Sequence, residues 1–264
     1  SFDQYLSYEK YGNHVSGCMD KSLRNSYIKL DVGNIKYLIL NLDIDGDDEK
    51  YIAWANQVCA ENPDRNIIVT THAYIDAEGK LIPYYSRIEN GYYWSEDGER
   101  LWNELISKHK NIVMVLCGHV YTEKIVVSEQ TGIHGNVVKQ VVVNPQTTDT
   151  AVEGAGMGAM FYFSEDGKNV QIRYYSTIKD AYYRAENQLS FNIETVSGVT
   201  ASNEAKIEEG IMDETISEKD VVIPIFRYFT SIWFSPTIPD VRRLTIAPSS
   251  VVSFRYLGIQ VTRP

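Results

Sequence analysis

Two histidines, His72 and His119, are the residues of this chain best suited to metal chemistry. Each closes a short run of β-branched and other apolar residues, over positions 66–72 and 111–119. A neutral imidazole nitrogen is a common ligand for divalent transition metals. A single histidine after a strand is more often a hydrogen-bonded loop residue. Two histidines at equivalent strand ends make a shared metal site an equal alternative.

The apolar runs before these histidines are typical of strands that are covered on both faces, as in an α/β sheet. In such sheets the ligand crevice lies beyond the carboxyl ends of the strands. The spacing of Tyr51, Trp54, Ala55 and Val58 predicts a helix before the first run, and residues 98–109 predict a second helix. Both histidines should therefore meet at one edge of a parallel sheet.

Strands dominate the rest of the pattern. Gly33-Asn34 predicts a hairpin between strands at 27–32 and 35–42, and further strands are predicted at 124–128, 136–144, 158–163 and 169–175. The pattern therefore predicts an α/β fold, a layered sandwich with mixed sheets that is followed by a linker and a short β-rich tail.

Composition limits the classes of function. The 264 residues carry a formal net charge of −10, which argues against general nucleic-acid binding. No apolar stretch approaches the roughly 20 residues of a transmembrane helix. Cys18, Cys59 and Cys117 are too scattered for a disulfide framework. The chain opens at Ser1 without a charged and apolar leader, so we expect a targeting signal to be absent or already removed.

The composition also divides the chain. Residues 194–220 hold eight acidic residues, two lysines and no aromatic residue, which is typical of a solvated linker. We therefore predict a domain portion over 1–193, an acidic linker over 194–220, and a β-rich tail or incomplete second module over 221–264.

Two weaker candidates flank the histidine strands. The acidic run 43–48 fails as an EF-hand, because counting from Asp43 puts Asp48 and Trp54 where Gly and Glu are needed; a helix-capping turn is favoured. The tyrosine-rich segment 74–94 is either one wall of a substrate cleft beside His72 or a cover for the sheet edge.

The stretch from residue 37 to 119 resembles the carboxyl-terminal half of a calcineurin-like metallophosphoesterase catalytic domain. The matching pieces are residues 37–42, Trp54-Ala55-Asn56, residues 69–74, which include His72 and Tyr74, and residues 116–120, which include Gly118-His119. Residues 135–140, Asn144-Pro145-Gln146, 161–164 and 174–176 are similar to extracellular bacterial members of that family.

The resemblance implies a four-layer αββα sandwich, of which this chain would form a part. It also implies hydrolysis of phosphate esters by two divalent ions (Mn, Fe or Zn) at the carboxyl edge of that sandwich. His72 would match the family's late histidine ligand and His119 the first histidine of its Gly-His-x-His motif, both on the same ion. Gly118 would allow close approach of the backbone. Tyr74, Tyr121, Asn144 and Gln146 would contribute to substrate binding.

The sequence departs from the family pattern in two places. Tyr121 stands where the second histidine of Gly-His-x-His is expected. Its phenol could contact phosphate or act as a weak metal ligand, and the favoured alternative is a packing residue near the rim. The family's Asp-x-His, Gly-Asp and Gly-Asn-His-Asp/Glu motifs are missing before residue 37. Gly12-Asn13-His14-Val15 imitates the last of these but does not follow a buried strand. We therefore expect the catalytic residues and remaining ligands upstream of Ser1, and weak or partial metal occupancy in this chain.

The sequence thus predicts part of a metallophosphoesterase, extracellular or at the cell surface by resemblance, whose partner is a phosphate-ester substrate. The alternative is a surface-binding or interaction protein on the same scaffold, in which the metal centre has decayed. Neither the substrate nor the oligomeric state follows from the sequence.

Overall fold

The structure is a computed structural model, and it describes residues 2–43, 49–86, 95–144, 157–177, 180–196, 221–224 and 245–246. The helices are α1 (Phe2–Tyr5), α2 (Tyr8–Tyr11), α3 (Glu49–Glu61) and α4 (Gly98–Glu104), with short 3-10 turns at Gly12–His14, Ile106–Lys108 and Ala185–Asn187. The strands are β1 (Gly17–Cys18), β2 (Ser26–Val32), β3 (Ile35–Asn41), β4 (Asn66–Thr70), β5 (Tyr85–Ser86), β6 (Ser95–Glu96), β7 (Ile112–Cys117), β8 (Val126–Thr131), β9 (Val137–Val142), β10 (Met157–Phe163), β11 (Asn169–Ser176), β12 (Ala181–Tyr182), β13 (Leu189–Asn192), β14 (Val221–Pro224) and β15 (Thr245–Ile246).

A seven-stranded mixed sheet forms the centre of the fold, in the order β1-β2-β3-β4-β7-β9-β8. Its four inner strands β3, β4, β7 and β9 are parallel neighbours, and the strands at its two sides are antiparallel. The carboxyl ends of the four parallel strands therefore lie at one edge of the sheet.

Hydrophobic residues cover both faces of this sheet. Every residue of β4 and of β7 is buried, as expected for strands with a layer on each side. On one face, Ile52, Ala55 and Val58 of α3 and Leu101 of α4 join the core cluster that contains Leu40 of β3. The helical layer was predicted from the spacing of apolar residues, and the structure confirms it.

A second sheet covers the opposite face. Its main path is β12-β11-β10-β14, and the inward side chains Phe161 and Ile172 pack with Ile39 and Met114 of the first sheet. The Tyr37 ring meets the Phe163 ring edge-on, with 5.3 Å between the ring centres. Helices, first sheet and second sheet form three stacked layers, which confirms the predicted α/β sandwich.

The β10–β11 hairpin fixes the direction of the second sheet. A Cβ placed on Gly167 in its turn would lie 2.8 Å from Ile35 Cδ1, so this turn packs tightly at the amino end of β3. The other end of the hairpin, where Met157 pairs with Ser176, points toward the edge where β3 ends. The connection after β11 therefore begins on the side of the sandwich that carries the histidines.

Two short pieces of the predicted tail belong to the second sheet. In β14, Ile223 pairs with Phe161 of β10, and in β15, Ile246 pairs with Ala159. The division at residues 194 and 221 stays a prediction, because residues 197–220 lie outside the described part of the chain. Among the described residues, no helix combines the length and the apolar character needed to cross a membrane.

Candidate functional site

The four parallel strands place four polar residues at one edge of the first sheet. Asp43, His72, His119 and Asn144 each stand two positions past the last residue of β3, β4, β7 and β9, respectively. Because these strands are adjacent in that order, the four residues form a row along the edge. A carboxylate, two imidazoles and an amide are thus aligned where α/β sheets bind ligands.

The two histidines in the middle of the row are in direct contact. His72 Nε2 lies 2.9 Å from His119 Nδ1, and the ring centres are 4.7 Å apart. Two nitrogens bound to one ion at about 2.0–2.1 Å would lie about 2.8–3.4 Å apart for N–metal–N angles between about 90° and the tetrahedral value. The separation suits a shared cation, and it equally suits an N–H···N hydrogen bond between neutral rings. The predicted convergence of the two rings is confirmed, whereas metal binding stays a prediction.

His119 holds a backbone conformation that non-glycine residues seldom adopt. Its φ is +61°, and the Val120 N–H donates to the Gly118 carbonyl at 2.7 Å, which closes a three-residue turn centred on His119. The Gly118 N–H donates to the His72 carbonyl at 2.8 Å and ties the two strand ends together. Backbone strain of this kind costs about 1–3 kcal/mol and is concentrated at functional sites.

Asn144 supports the strained turn from the neighbouring strand. It is 3% exposed, and its Nδ2 donates to the carbonyls of His119 at 2.7 Å and of Val120 at 2.8 Å. Its amide is thereby engaged with backbone. The Asn144 donor group contacts the His119 turn, whereas substrate binding by Asn144 stays a prediction.

The two tyrosines predicted to bind substrate differ in their exposure to solvent. Tyr74 is 0% exposed within the core cluster beneath the helices, and burial raises the pKa of its phenol well above the ordinary value. Its predicted contact with substrate is wrong, because the side chain points into the core. Tyr121 is 54% exposed beside the His119 turn, so it remains a candidate for contact with a ligand. Gln146 lies outside the described residues.

The space around Gly118 would accommodate a larger residue. A Cβ at this position would lie 3.4 Å from the Val143 carbonyl oxygen and 3.9 Å from that of His72, which are ordinary contacts. Crowding therefore does not explain the glycine. The thiol of Cys117, just before it, donates to the Val141 carbonyl, and burial raises the pKa of Cys117 to about 12. At neutral pH this thiol stays protonated and is a poor metal ligand.

The acidic end of the row is engaged in an ion pair. Arg24 Nη1 lies 3.3 Å from Asp43 Oδ2, and the Asp43 N–H donates to Asn25 Oδ1. Residues 44–48, with the rest of the predicted capping turn, lie outside the described part. Gly12-Asn13-His14 forms a 3-10 turn after α2 rather than a strand end, as expected for a chance similarity.

The described side chains fit one half of a metal site. Within residues 2–43, 49–86, 95–144, 157–177 and 180–196, no group of three or more His, Cys, Asp or Glu is arranged to hold a metal ion. The histidine pair supplies two converging neutral ligands, which suits Mn, Fe or Zn alike. Further ligands for that ion, and carboxylates for a second ion, would come from other residues.

Sequence reasoning missed one residue that acts on this site. Asn187, which is 0% exposed, hydrogen-bonds the loop after His119 through partners at positions 123 and 125. Those partners are more than sixty positions away, and the polar sequence around residue 187 shows no periodicity. No local signal could have identified the contact.

Comparison with known proteins gives one weak similarity. No protein-family model matches the chain. The chain is 28% identical over 124 residues to the uncharacterized protein YvnB of Bacillus subtilis (strain 168). The match covers 46% of this chain and only 8% of the length of YvnB, whose name states no activity.

Proposed function

We propose that this chain is the carboxyl-terminal part of a calcineurin-like metallophosphoesterase domain that hydrolyses phosphate esters. One observation carries the proposal: two imidazole nitrogens 2.9 Å apart, at the carboxyl edge of adjacent parallel strands. The strained backbone of His119 and its support by Asn144 add to it, since a merely structural histidine needs neither. The extracellular location and the phosphate-ester partner belong to the same proposal.

In this function His72 and His119 hold one ion of a two-metal centre. The chemistry that two divalent ions would supply there is activation of a water nucleophile and stabilisation of the charge on the phosphoryl oxygens. Asn144 would keep the His119 ring in place, because its side chain donates to the backbone carbonyls of His119 and Val120. Tyr121 is exposed beside the His119 turn, within reach of a substrate bound at this edge of the sheet.

Zn²⁺ titration of the chain tests whether the two histidines share an ion. We expect isothermal titration calorimetry to give one Zn²⁺ ion per chain. Either His72→Ala or His119→Ala should abolish the heat of Zn²⁺ binding, because one imidazole alone does not form a site. His134→Ala is the matched control, since His134 is an exposed histidine on a distant loop that bonds the Lys108 carbonyl. Retention of binding in both single variants would show that the rings bind no common ion.

Hydrolysis by the full-length parent protein tests the activity. With Mn²⁺ and bis(p-nitrophenyl) phosphate or p-nitrophenyl phosphate, His72→Ala and His119→Ala should each lower turnover by at least about a hundredfold, since loss of even an outer partner of a ligand costs 10–100-fold. Zn²⁺ binding without turnover of either ester would favour the alternative, a binding protein with a decayed centre.

A further inference from the structure

A turn in the second sheet reaches the loop that carries His119. The turn follows β12 and comprises residues 183–188, and its Asn187 is completely buried. Asn187 Oδ1 accepts the Ile125 N–H at 2.9 Å, and Asn187 Nδ2 donates to the Glu123 carbonyl at 3.2 Å. One side chain thus satisfies a donor and an acceptor of a segment more than sixty positions earlier in the chain.

A charged contact strengthens the same junction. Arg184 Nη2 lies 2.7 Å from the carboxylate of Glu123, with both side chains partly exposed. Arg184 has a φ of +55°, so the turn itself holds a conformation that needs support. That support comes from Gln188, whose side chain bonds the N–H and carbonyl of Tyr174 in β11 and the carbonyls of Tyr183 and Arg184. The turn is therefore a fixed part of the second sheet.

Two buried asparagines bracket the loop from opposite ends. Asn144 holds the carbonyls of His119 and Val120 at its start, and Asn187 holds residues 123 and 125 at its end. The span between them contains the exposed Tyr121. A strained turn persists only where its surroundings determine it from several sides, and a ligand displaced by about 1 Å binds or reacts much less well.

We propose that Asn187 is a positioning residue for His119: through the loop that ends at Ile125, the second sheet fixes the direction in which the His119 ring presents Nδ1 to His72. The inference rests on the proposed metal-binding function. It assigns to the second sheet a role in the site although none of its side chains need touch the ion.

Asn187→Ala in the 264-residue chain tests the proposal. We expect Zn²⁺ affinity to fall by about tenfold, as for other partners that orient a ligand from outside. In the metal-free chain, the ring signals of His119 should shift in nitrogen-15 NMR spectra, and the Ile125 amide should exchange its hydrogen faster. Asn187→Asp keeps an acceptor for Ile125 but loses the donor to Glu123, so it should restore part of the affinity and of the protection.

Asn192→Ala is the matched control, because Asn192 is an exposed asparagine of the same sheet that bonds only across to Asn169 among the contacts described. It should change none of these readings. If Asn187→Ala lowers global stability in urea but leaves Zn²⁺ affinity and the His119 signals unchanged, the role is structural and the proposal is overturned. If the native chain binds no Zn²⁺, the proposed function fails, while the His119 signals of the metal-free variants still decide the positioning role. Should Asn187→Ala not fold, the same readings on Asn187→Asp decide it.

Discussion

At the scale of single residues, the site depends on backbone conformation as much as on ligand type. His119 reaches His72 because its own φ is positive, and the positive φ turns its ring back across the strand ends. The amide of Asn144 offsets part of the cost by donating to two partly buried carbonyls of the turn. The conformation of His119 and the hydrogen bonds of Asn144 are therefore coupled.

Substitutions of Asn144 test this coupling. Asn144→Ala should lower the free energy of unfolding by about 1–3 kcal/mol, because two carbonyls lose their donor. Asn144→Asp should lower the free energy of unfolding further, although aspartate has the same shape, because a carboxylate would face two carbonyl oxygens. Urea unfolding followed by circular dichroism measures both changes.

Asn13→Asp is the control for the added charge, since Asn13 is exposed. Equal stability of Asn144→Asp and the native chain would show that the Asn144 side chain presents its oxygen, rather than its nitrogen, to the turn.

At the scale of elements, the sequence identified the strands and the parallel pairing beneath the site, but not the side-chain contacts that depend on how the layers stack. The continuous apolar runs of β4 and β7 indicated strands buried on both faces, and parallel pairing then brought His72 and His119 together. Tyr74 was misjudged because its side chain belongs to the core cluster beneath the helices, where a phenol is buried rather than exposed. Asn187 was missed because its partners are set by how the two sheets stack, which no local pattern encodes.

A half-buried histidine joins α3 to the segment after α4. His109 Nε2 lies 2.7 Å from Asn56 Oδ1, while Asn56 Nδ2 donates to the carbonyls of Ile52 and Glu104. Burial lowers the pKa of His109 below the ordinary 6.5, and the nearby His134 and Lys108 lower it further. The folded chain therefore binds fewer protons here than the unfolded chain as the pH falls below about 6.5.

The sign of this shift predicts a loss of stability in acid. The contribution of neutral His109 is complete above about pH 6.5 and is lost as the pH falls through the lower pKa of the folded state. Urea midpoints measured from pH 7.5 to 5 should therefore fall less steeply in His109→Gln than in the native chain. Equal slopes for the two chains would contradict the assignment of this effect to His109.

At the scale of the whole molecule, the position of the edge that carries the histidines depends on how the two sheets stack. The packing of Tyr37 against Phe163 and the tight approach of Gly167 to Ile35 fix one end of the stack. The contacts of Asn187 fix the other end. The layers are thus joined at both ends, so a change in the stacking of the sheets would be transmitted to the His119 loop.

The Tyr37 hydroxyl is a polar group buried between the two sheets. The Tyr37 hydroxyl has no hydrogen-bond partner among the described residues, and burial, together with Asp166, raises the pKa of Tyr37. Tyr37→Phe should therefore leave the free energy of unfolding unchanged or raise it by about 1–2 kcal/mol. Tyr162→Phe, which removes a hydroxyl that bonds Met160 Sδ, is the control and should not stabilise. A clear loss of stability in Tyr37→Phe would reveal a buried water on that hydroxyl.

The charge of the ligands limits what the 264-residue chain does with phosphate esters. Two neutral imidazoles do little to offset the four positive charges of a two-metal centre, and two-metal hydrolysis needs both ions. We therefore expect bis(p-nitrophenyl) phosphate to be cleaved by this chain, with added Mn²⁺, no faster than by buffer with Mn²⁺. His72→Ala is the matched control and should give the same background rate. Turnover like that of a complete two-metal enzyme, lost in His72→Ala and on addition of a chelator, would contradict this expectation.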